Sequence, residues 1–410
     1  MNAHSAPVVV TADNLEAICR PFPFGVRKAL TLASQIEAGE LLMELPAGEK
    51  LLFRGTIDGP KATMIVRNLA FAMRMAREGE VGIAEAYLRN EWDTPDLTQF
   101  LLLFCTNIDR VQSLLDKQPL VRLLQQFTHW LNRNSKSGSR RNIMAHYDLG
   151  NQFYSQWLDE TMTYSSALFN DNTRTLQQAQ TYKYATLLQD LAVTPGDHIL
   201  EIGCGWGGFA EHAARIAGCK VTALTISPAQ FEFAKERIFK AGLNDKVDIK
   251  LQDYRDEKGL YDKIASIEMF EAVGAEYWPV YFRQLQNRMK PGGKAGLQII
   301  TIQDRFWKSY TREIDFIRRY IFPGGMLPTP NILSKLAHRH GLQQTGERVF
   351  GADYARTLQE WRNKFRAVWS GLAPMGFDER FRRMWEYYFA YCEAGFLAGT
   401  IDVRQIVYQK

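Results

Sequence analysis

Eleven residues, Ile199-Leu-Glu-Ile-Gly-Cys-Gly-Trp-Gly-Gly-Phe209, carry the first chemical signal in this 410-residue chain. A short apolar run containing one acid, Glu201, leads into glycines at 203, 205 and 208. An alanine-rich stretch (Ala210, Ala213, Ala214) follows. The pattern is that of a buried parallel strand, a tight turn and a helix start. Glycines allow a ligand to approach the backbone closely, and the free N–H groups of a helix N-terminus favour polar or anionic groups. A nucleotide-type cofactor is expected at this turn.

The next strand narrows the choice. A dinucleotide site wants an acid about 20 residues on, at the end of that strand, to hold the ribose hydroxyls. Here the strand reads Lys220-Val-Thr-Ala-Leu-Thr-Ile-Ser-Pro228. It ends in Thr225 and Ser227, with Gln230 just beyond, and carries no acid. Uncharged hydrogen-bonding groups would have to hold the ribose, which disfavours a nicotinamide oxidoreductase.

Further motifs occur in order: His146-Tyr-Asp-Leu-Gly-Asn151, Met162-Thr-Tyr-Ser-Ser166, Thr225-Ile-Ser-Pro-Ala-Gln230, Leu251-Gln-Asp-Tyr-Arg-Asp256, Met269-Phe-Glu271, Tyr320-Ile-Phe-Pro323 and Phe350-Gly-Ala-Asp-Tyr354. From about residue 143 to the C-terminus the chain resembles the cyclopropane fatty-acyl phospholipid synthase family, which includes the mycolic-acid methyltransferases. The resemblance implies a doubly wound, Rossmann-like α/β sheet of the class I S-adenosylmethionine methyltransferases. It also implies modification of carbon–carbon double bonds in acyl chains.

For the cofactor, the resemblance points to Tyr147, Tyr164 and Ser165 around the amino-acid end. It places Gly203 and Gly205 at the methionine part, Thr225, Ile226 and Gln230 at the ribose, and Tyr254 and Arg255, after Asp253, at the adenine. An alkene is a poor nucleophile and must be pressed against an activated methyl in a dry site. The resulting carbocation needs aromatic faces or carboxylates nearby, and a base must then take a proton. Loss from the transferred methyl closes a cyclopropane; loss from the chain leaves a methyl-branched alkene.

In the family this base is a bound bicarbonate, held by a Cys, a Glu, a His, a backbone group of an Ile and a Tyr. Glu271, Tyr354 and Ile302 match three of these positions. The Cys position falls on Ser166 and the His position on Ile300. Ala272 stands where His is usual, and Glu268 where Gly is usual. An isoleucine side chain cannot bond an anion, and an inward Glu268 would repel one. Two accounts compete. Bicarbonate persists on Glu271, Tyr354 and Ser166, or a carboxylate such as Glu271 or Glu268 is itself the base. The default product is a cyclopropane, and the alternative is a methyl-branched or methylene-bearing chain. A lipid-binding protein that has lost catalysis is a third reading, opposed by the intact glycines and Glu271.

The elements that must position these residues follow from patterning. Ile199–Ile202, Val221–Leu224, Val247–Leu251, Ile264–Ile267 and Ala295–Ile302 read as strands alternating with helices, an α/β doubly wound pattern. Residues 304–330 are aromatic and basic and read as an insertion covering the site; 352–410 read as helical. Residues 1–125 read as a smaller α+β domain. Its strands are Leu41–Pro46, Leu51–Phe53 and Ala62–Val66, and its helices span Ala70–Leu88 and Leu97–Phe104. The resemblance makes it a lipid-docking domain; a structural or dimerisation role is the other reading. Residues 126–142 form a polar, basic linker.

Composition sets the outer bounds. The chain has 46% hydrophobic residues and a net charge of +5. No basic stripe with interleaved aromatics suggests nucleic acid, whereas an anionic phospholipid bilayer is compatible with this charge. Five scattered cysteines without metal-ligand spacing suggest a reducing cytoplasm and no metal. Without a signal peptide or a long apolar span, the expectation is a cytoplasmic enzyme, peripheral on the inner face of the membrane. The resemblance suggests a homodimer.

Overall fold

The computed structural model describes residues 6–110, 149–173 and 175–410. The 126–142 linker, His146 and Tyr147 lie outside the described residues.

The first 110 residues form β1 (Val8–Val10), α1 (Ala12–Cys19), α2 (Phe24–Ala33), β2 (Ala38–Glu44), β3 (Lys50–Arg54), β4 (Ile57–Val66), α3 (Ala70–Leu88), β5 (Trp92–Asp93) and α4 (Leu97–Thr106). The strands make one sheet in the order β1-β3-β2-β4-β5. Along β2 every second residue is buried, the period-2 signature of a half-buried strand. Helix α3 is interrupted at Gly79, whose φ of +59° is non-helical.

The second part begins with α5 (Gly150–Trp157) and α6 (Leu176–Asp190) and then alternates: β6 (His198–Ile202), α7 (Gly208–Ile216), β7 (Lys220–Thr225), α8 (Pro228–Lys240), β8 (Val247–Leu251), β9 (Tyr261–Ile267), α9 (Trp278–Arg288) and β10 (Met289–Ile302). After these come α10 (Pro330–Arg339), β11 (Gln343–Val349), α11 (Gly351–Leu372), α12 (Glu379–Leu397) and β12 (Ile401–Gln409). The seven strands are ordered β11-β12-β10-β9-β6-β7-β8. The five expected strands pair in parallel with one another. Strand β12 inserts antiparallel between β10 and β11. Strands buried on both faces read as continuous apolar runs, and Ile199, Leu200, Ala223, Ile264, Ala265, Ala295 and Leu297 are completely or almost completely buried. The chain reverses its winding direction at β6, so the crevice at the C-terminal ends of β6 and β9 is where such a sheet binds ligands.

Two expectations are corrected. The C-terminus is not helical throughout: residues 401–409 are a strand, and 343–349 are its edge partner. Ile401, Val403, Ile406, Val407 and Tyr408 are β-formers that complete the sheet. The chain also does not divide at a single point. Among the described residues, one compact unit comprises 6–110, Ser309–Ile321 and Ala373–Thr400; the other comprises 149–173, 175–308, Phe322–Leu372 and Ile401–Lys410. Much of the 304–330 segment, and α12, thus group with the β1–β5 sheet. Within that first unit Thr98 donates to Glu393 at 3.0 Å, and the Phe316 ring packs tilted against Tyr387, centroids 4.6 Å apart. Among the described residues no helix is long and apolar enough to cross a membrane.

Because β12 packs in the sheet interior, Ile406, 2% exposed, tests its role. Ile406→Ala is expected to cost about 2–5 kcal/mol, read as a lowered midpoint in urea unfolding followed by tryptophan fluorescence.

Candidate active site

The glycine turn leaves β6 and enters α7. The N–H groups of Gly203 and Cys204 donate to the Leu224 carbonyl at 3.0 and 2.8 Å, tying the turn to the end of β7. Gly203 has φ +84°, and a Cβ there would lie 2.6 Å from Met269 Cγ. This close approach presses the turn against the residue that follows Glu268. Gly205 has φ +52° and open space where a Cβ would point.

Next to it lie the uncharged groups expected at the ribose. Thr225 Oγ1 donates to Gln230 Oε1 at 3.0 Å, Ser227 caps α8, and Thr225, Ser227 and Gln230 are buried, with Ile226 partly exposed between them. Beyond β8, Arg255 is clamped by Asp253 through two side-chain hydrogen bonds of 2.9 and 2.6 Å. The hydroxyl of Tyr254 is buried without a hydrogen-bond partner. So is Oε2 of Glu201, whose pKa burial raises to about 8. Open space at Gly205, orphaned polar atoms and a neutral hydroxyl–amide pair fit S-adenosylmethionine.

Tyr164 sits in an aromatic cluster, 5.4 Å from the Tyr154 ring, 5.2 Å from Trp361 and 6.4 Å from Phe322. Trp206 of the turn joins through Tyr154, and its indole N–H donates to Asn151 at 2.8 Å. The cluster presents the apolar, π-rich walls that a carbocation requires.

The carboxylates stand at the end of β9. Glu268 has φ +49°, a left-handed backbone conformation that costs a side-chain-bearing residue about 1–2 kcal/mol. Its Oε1 accepts from the Ser166 N–H at 2.8 Å and from Gln298 Nε2 at 2.7 Å; its Oε2 accepts from the Tyr354 hydroxyl at 2.6 Å. Gln298, on β10, is oriented by Gln405, directly across on β12, whose Nε2 donates to Gln298 Oε1 at 3.1 Å. Burial pushes the Glu268 pKa up, opposed by Lys183 and by these three donors. Glu271 accepts from the Ile300 N–H at 2.6 Å, and its Oε2 is buried without a partner. Burial, reinforced by the Glu268 charge, raises its pKa to about 8.

Four of the five positions expected to hold bicarbonate have a polar group engaged by the protein, and the fifth has none to offer. Ser166 Oγ donates to the Ala167 carbonyl, the Ile302 N–H donates to Pro328, Tyr354 donates to Glu268, Glu271 accepts from Ile300, and the Ile300 side chain offers no polar atom. The structure brings Ser166, Glu268 and Tyr354 together and places Glu271 on the same turn. Ser165, expected at the cofactor, accepts from Lys183 Nζ at 2.6 Å.

Lys183 and Gln298 were not foreseen. Both interrupt apolar patterns, Lys183 on the buried face of α6 and Gln298 in a buried strand, and both are completely buried. A polar residue at a core position was the available signal. His198 Nε2 shares a hydrogen bond of 2.9 Å with Thr222 Oγ1.

The sequence profile described as mycolic acid cyclopropane synthetase matches residues 134–406. The chain is 39% identical over 375 residues to the tuberculostearic acid methyltransferase UfaA1 of Mycobacterium tuberculosis, covering 86% of this chain and 85% of that protein. It is 33% identical over 362 residues to the cyclopropane-fatty-acyl-phospholipid synthase of Escherichia coli, covering 85% and 88%. The crystal structure of mycolic acid cyclopropane synthase CmaA1 complexed with SAH and CTAB superposes with a TM-score of 0.63 at 29% identity, over 66% of this chain and 98% of that one. The chain belongs to the mycolic acid cyclopropane synthetase family and is an S-adenosylmethionine-dependent methyltransferase of the lipid-modifying type.

The left-handed backbone at Glu268 gives a test free of the chemistry. Glu268→Gly and Glu268→Ala remove the same carboxylate bonds, but only glycine accepts φ +49° without strain. The glycine variant is expected to be the more stable by about 1 kcal/mol, measured by urea unfolding of the two proteins side by side.

Proposed function

We propose that this enzyme methylates unsaturated acyl chains of membrane phospholipids at the double bond and yields methyl-branched or methylene-bearing chains, with the Glu268 carboxylate as proton acceptor. The observation that carries this reading is the engagement of Glu268 by Ser166 and Tyr354, two of the groups that the resemblance gives to bicarbonate. With Ile300 in place of the anion's histidine and Ile302 N–H on Pro328, a separate anion finds few donors. A similar protein being a tuberculostearic acid methyltransferase supports the same product class. The name of the E. coli relative supports phospholipid as the form of the substrate.

Bound S-adenosylmethionine supplies an electrophilic methyl, whose transfer to one alkene carbon leaves positive charge on the other. Tyr164 and its aromatic neighbours exclude water from that charge. Glu268 Oε2, holding one donor, Tyr354, takes the proton. Removal from a chain carbon beside the cation gives the branched alkene. After a hydride shift to the first cationic carbon, removal from the transferred methyl gives the methylene. Glu271, neutral up to about pH 8, avoids placing a second negative charge beside Glu268. A tethered carboxylate reaches a fixed position, so the site of proton loss is set by the β9 turn.

Methyl-13C S-adenosylmethionine and vesicles of monounsaturated phospholipid are expected to give lipid in which NMR finds the label in a methyl or methylene group on a retained double bond. Label in a cyclopropane ring would overturn the product assignment. Glu268→Gln is expected to lower turnover about 10²–10⁴-fold while S-adenosylhomocysteine binding, read by calorimetry, persists.

A pH dependence follows with a defined sign. Glu268 must be ionised to accept a proton, and burial holds its pKa above the ordinary 4.5. Turnover therefore climbs as pH rises, with an acid-limb midpoint above that value. A midpoint at or below it in the kcat profile contradicts the assignment.

A further inference from the structure

Lys183 lies on the face of α6 that packs into the sheet unit, with 0% of its surface exposed. Burying an ammonium group is costly unless charge and hydrogen bonds compensate. The Lys183 ammonium donates to one neutral acceptor, Ser165 Oγ at 2.6 Å, and the Tyr184 ring lies 4.9 Å away. Charge compensation comes from two carboxylates, Glu268 at the end of β9 and Asp159 after α5. The same helix grips the same residue a second time, since Gln180 Nε2 donates to the Ser165 carbonyl at 2.8 Å. The next residue, Ser166, donates its N–H to Glu268. Helix α6 thus acts on Glu268 in two ways, through the 165–166 backbone and through the lysine charge.

We propose that Lys183 is a positioning residue for the methyl-transfer reaction, a buried cation that holds Glu268 ionised and fixes the Ser165–Ser166 segment against it. This deepens the reading of Glu268 as proton acceptor and rests on it. The groups that face Glu268 are Lys183 from α6, Tyr354 from α11, Gln298 from β10, the Ser166 N–H, and Glu271 on its own turn. Lys183 is the cation among them. Tyr354, Gln298 and Ser166 stabilise the carboxylate by hydrogen bonding, whereas Glu271 opposes its charge once ionised. Burial outweighs the Glu268 and Asp159 charges, which act to raise the Lys183 pKa, and holds it down at about 7. Each partner therefore maintains the ionised form of the other, and the coupling is reciprocal.

The test reads ionisation rather than turnover. Infrared difference spectra of wild type against Glu268→Gln isolate the Glu268 carboxyl band, and its pH titration gives the midpoint. In Lys183→Gln, which keeps a donor for Ser165 but no charge, the midpoint is expected to rise by about one unit or more; an unmoved midpoint overturns the proposal. The reciprocal measurement needs no substitution at 183. In protein labelled with 13C-lysine, the Lys183 NMR titration is expected to shift to lower pH in Glu268→Gln, and an unmoved titration overturns the proposal even where Lys183→Gln does not fold. The kcat profile then separates the two readings. A carboxyl midpoint that rises while the acid limb of kcat stays in place supports the coupling and removes Glu268 from the proton-acceptor role.

Discussion

The site is organised around one carboxylate carried on a backbone conformation that favours glycine. Glu268 sits at φ +49° at the end of β9, where the left-handed region penalises a side chain. Its charge is set deep in the sheet unit, where ionisation is disfavoured. Neither cost is recovered locally. The compensation comes from four separate elements: Ser166 from the segment before α6, Gln298 from β10, Tyr354 from α11 and the Lys183 charge from α6. Placing these groups requires the C-terminal ends of the parallel strands, the helix packed on them and the inserted antiparallel strand. Strain at a single residue supported by its surroundings in this way is characteristic of a functional position.

The glycine turn and the carboxylate are mechanically one object. Gly203 lies so close to Met269 that a methyl group cannot be placed between them. The cofactor loop and the turn bearing Glu268 and Glu271 therefore share a boundary, and a shift in one is felt by the other. This gives a physical reason for glycine at 203 beyond its positive φ. It also explains why two carboxylates three residues apart can have different states. Glu268 has three donors and a buried cation, whereas Glu271 has one backbone donor and an unpartnered oxygen. Like charges at close quarters do not both ionise readily, and the environment decides which one does.

The part of this site that can be read from sequence is the part written in local patterns. The apolar runs from Ile199 to Ile302, the glycines and the neutral Thr225-to-Gln230 stretch mark the parallel sheet and the cofactor end, because strand, turn and helix start each have their own residue grammar. Strand β12 escaped because it follows aromatic helices directly and pairs with a strand about 100 residues earlier, a long-range relation without a local signature. Missing β12 hides Gln405, and with it the group that orients Gln298. Lys183 was visible as a charged residue at a core position of α6, but its partners lie far away in sequence. The resemblance assigns bicarbonate ligands position by position, and a position-by-position likeness carries no information on whether a side chain at 268 reaches Ser166 and Tyr354.

Burying opposite charges near one another is weak evidence for stability, since apolar replacements are often as stable. Retaining Lys183 and Glu268 inside a packed unit therefore needs another reason, and the proton-acceptor role proposed for Glu268 supplies one. A freely bound anion can be lost or exchanged, and its position is set only by its ligands. A carboxylate attached to the main chain is present in every turnover and has a reach fixed by its χ angles and by the left-handed turn. What it lacks is a cation that moves with it, because a tethered base in a dry site protonates unless countercharge is built in. Lys183, anchored to Ser165 on one side and balanced by Asp159 on another, supplies that charge from a helix that cannot withdraw without exposing the core residues Leu176, Ala179 and Leu187. On the proposed reading, the stability forgone in burying the two charges is the cost of keeping a base ionised where water is excluded.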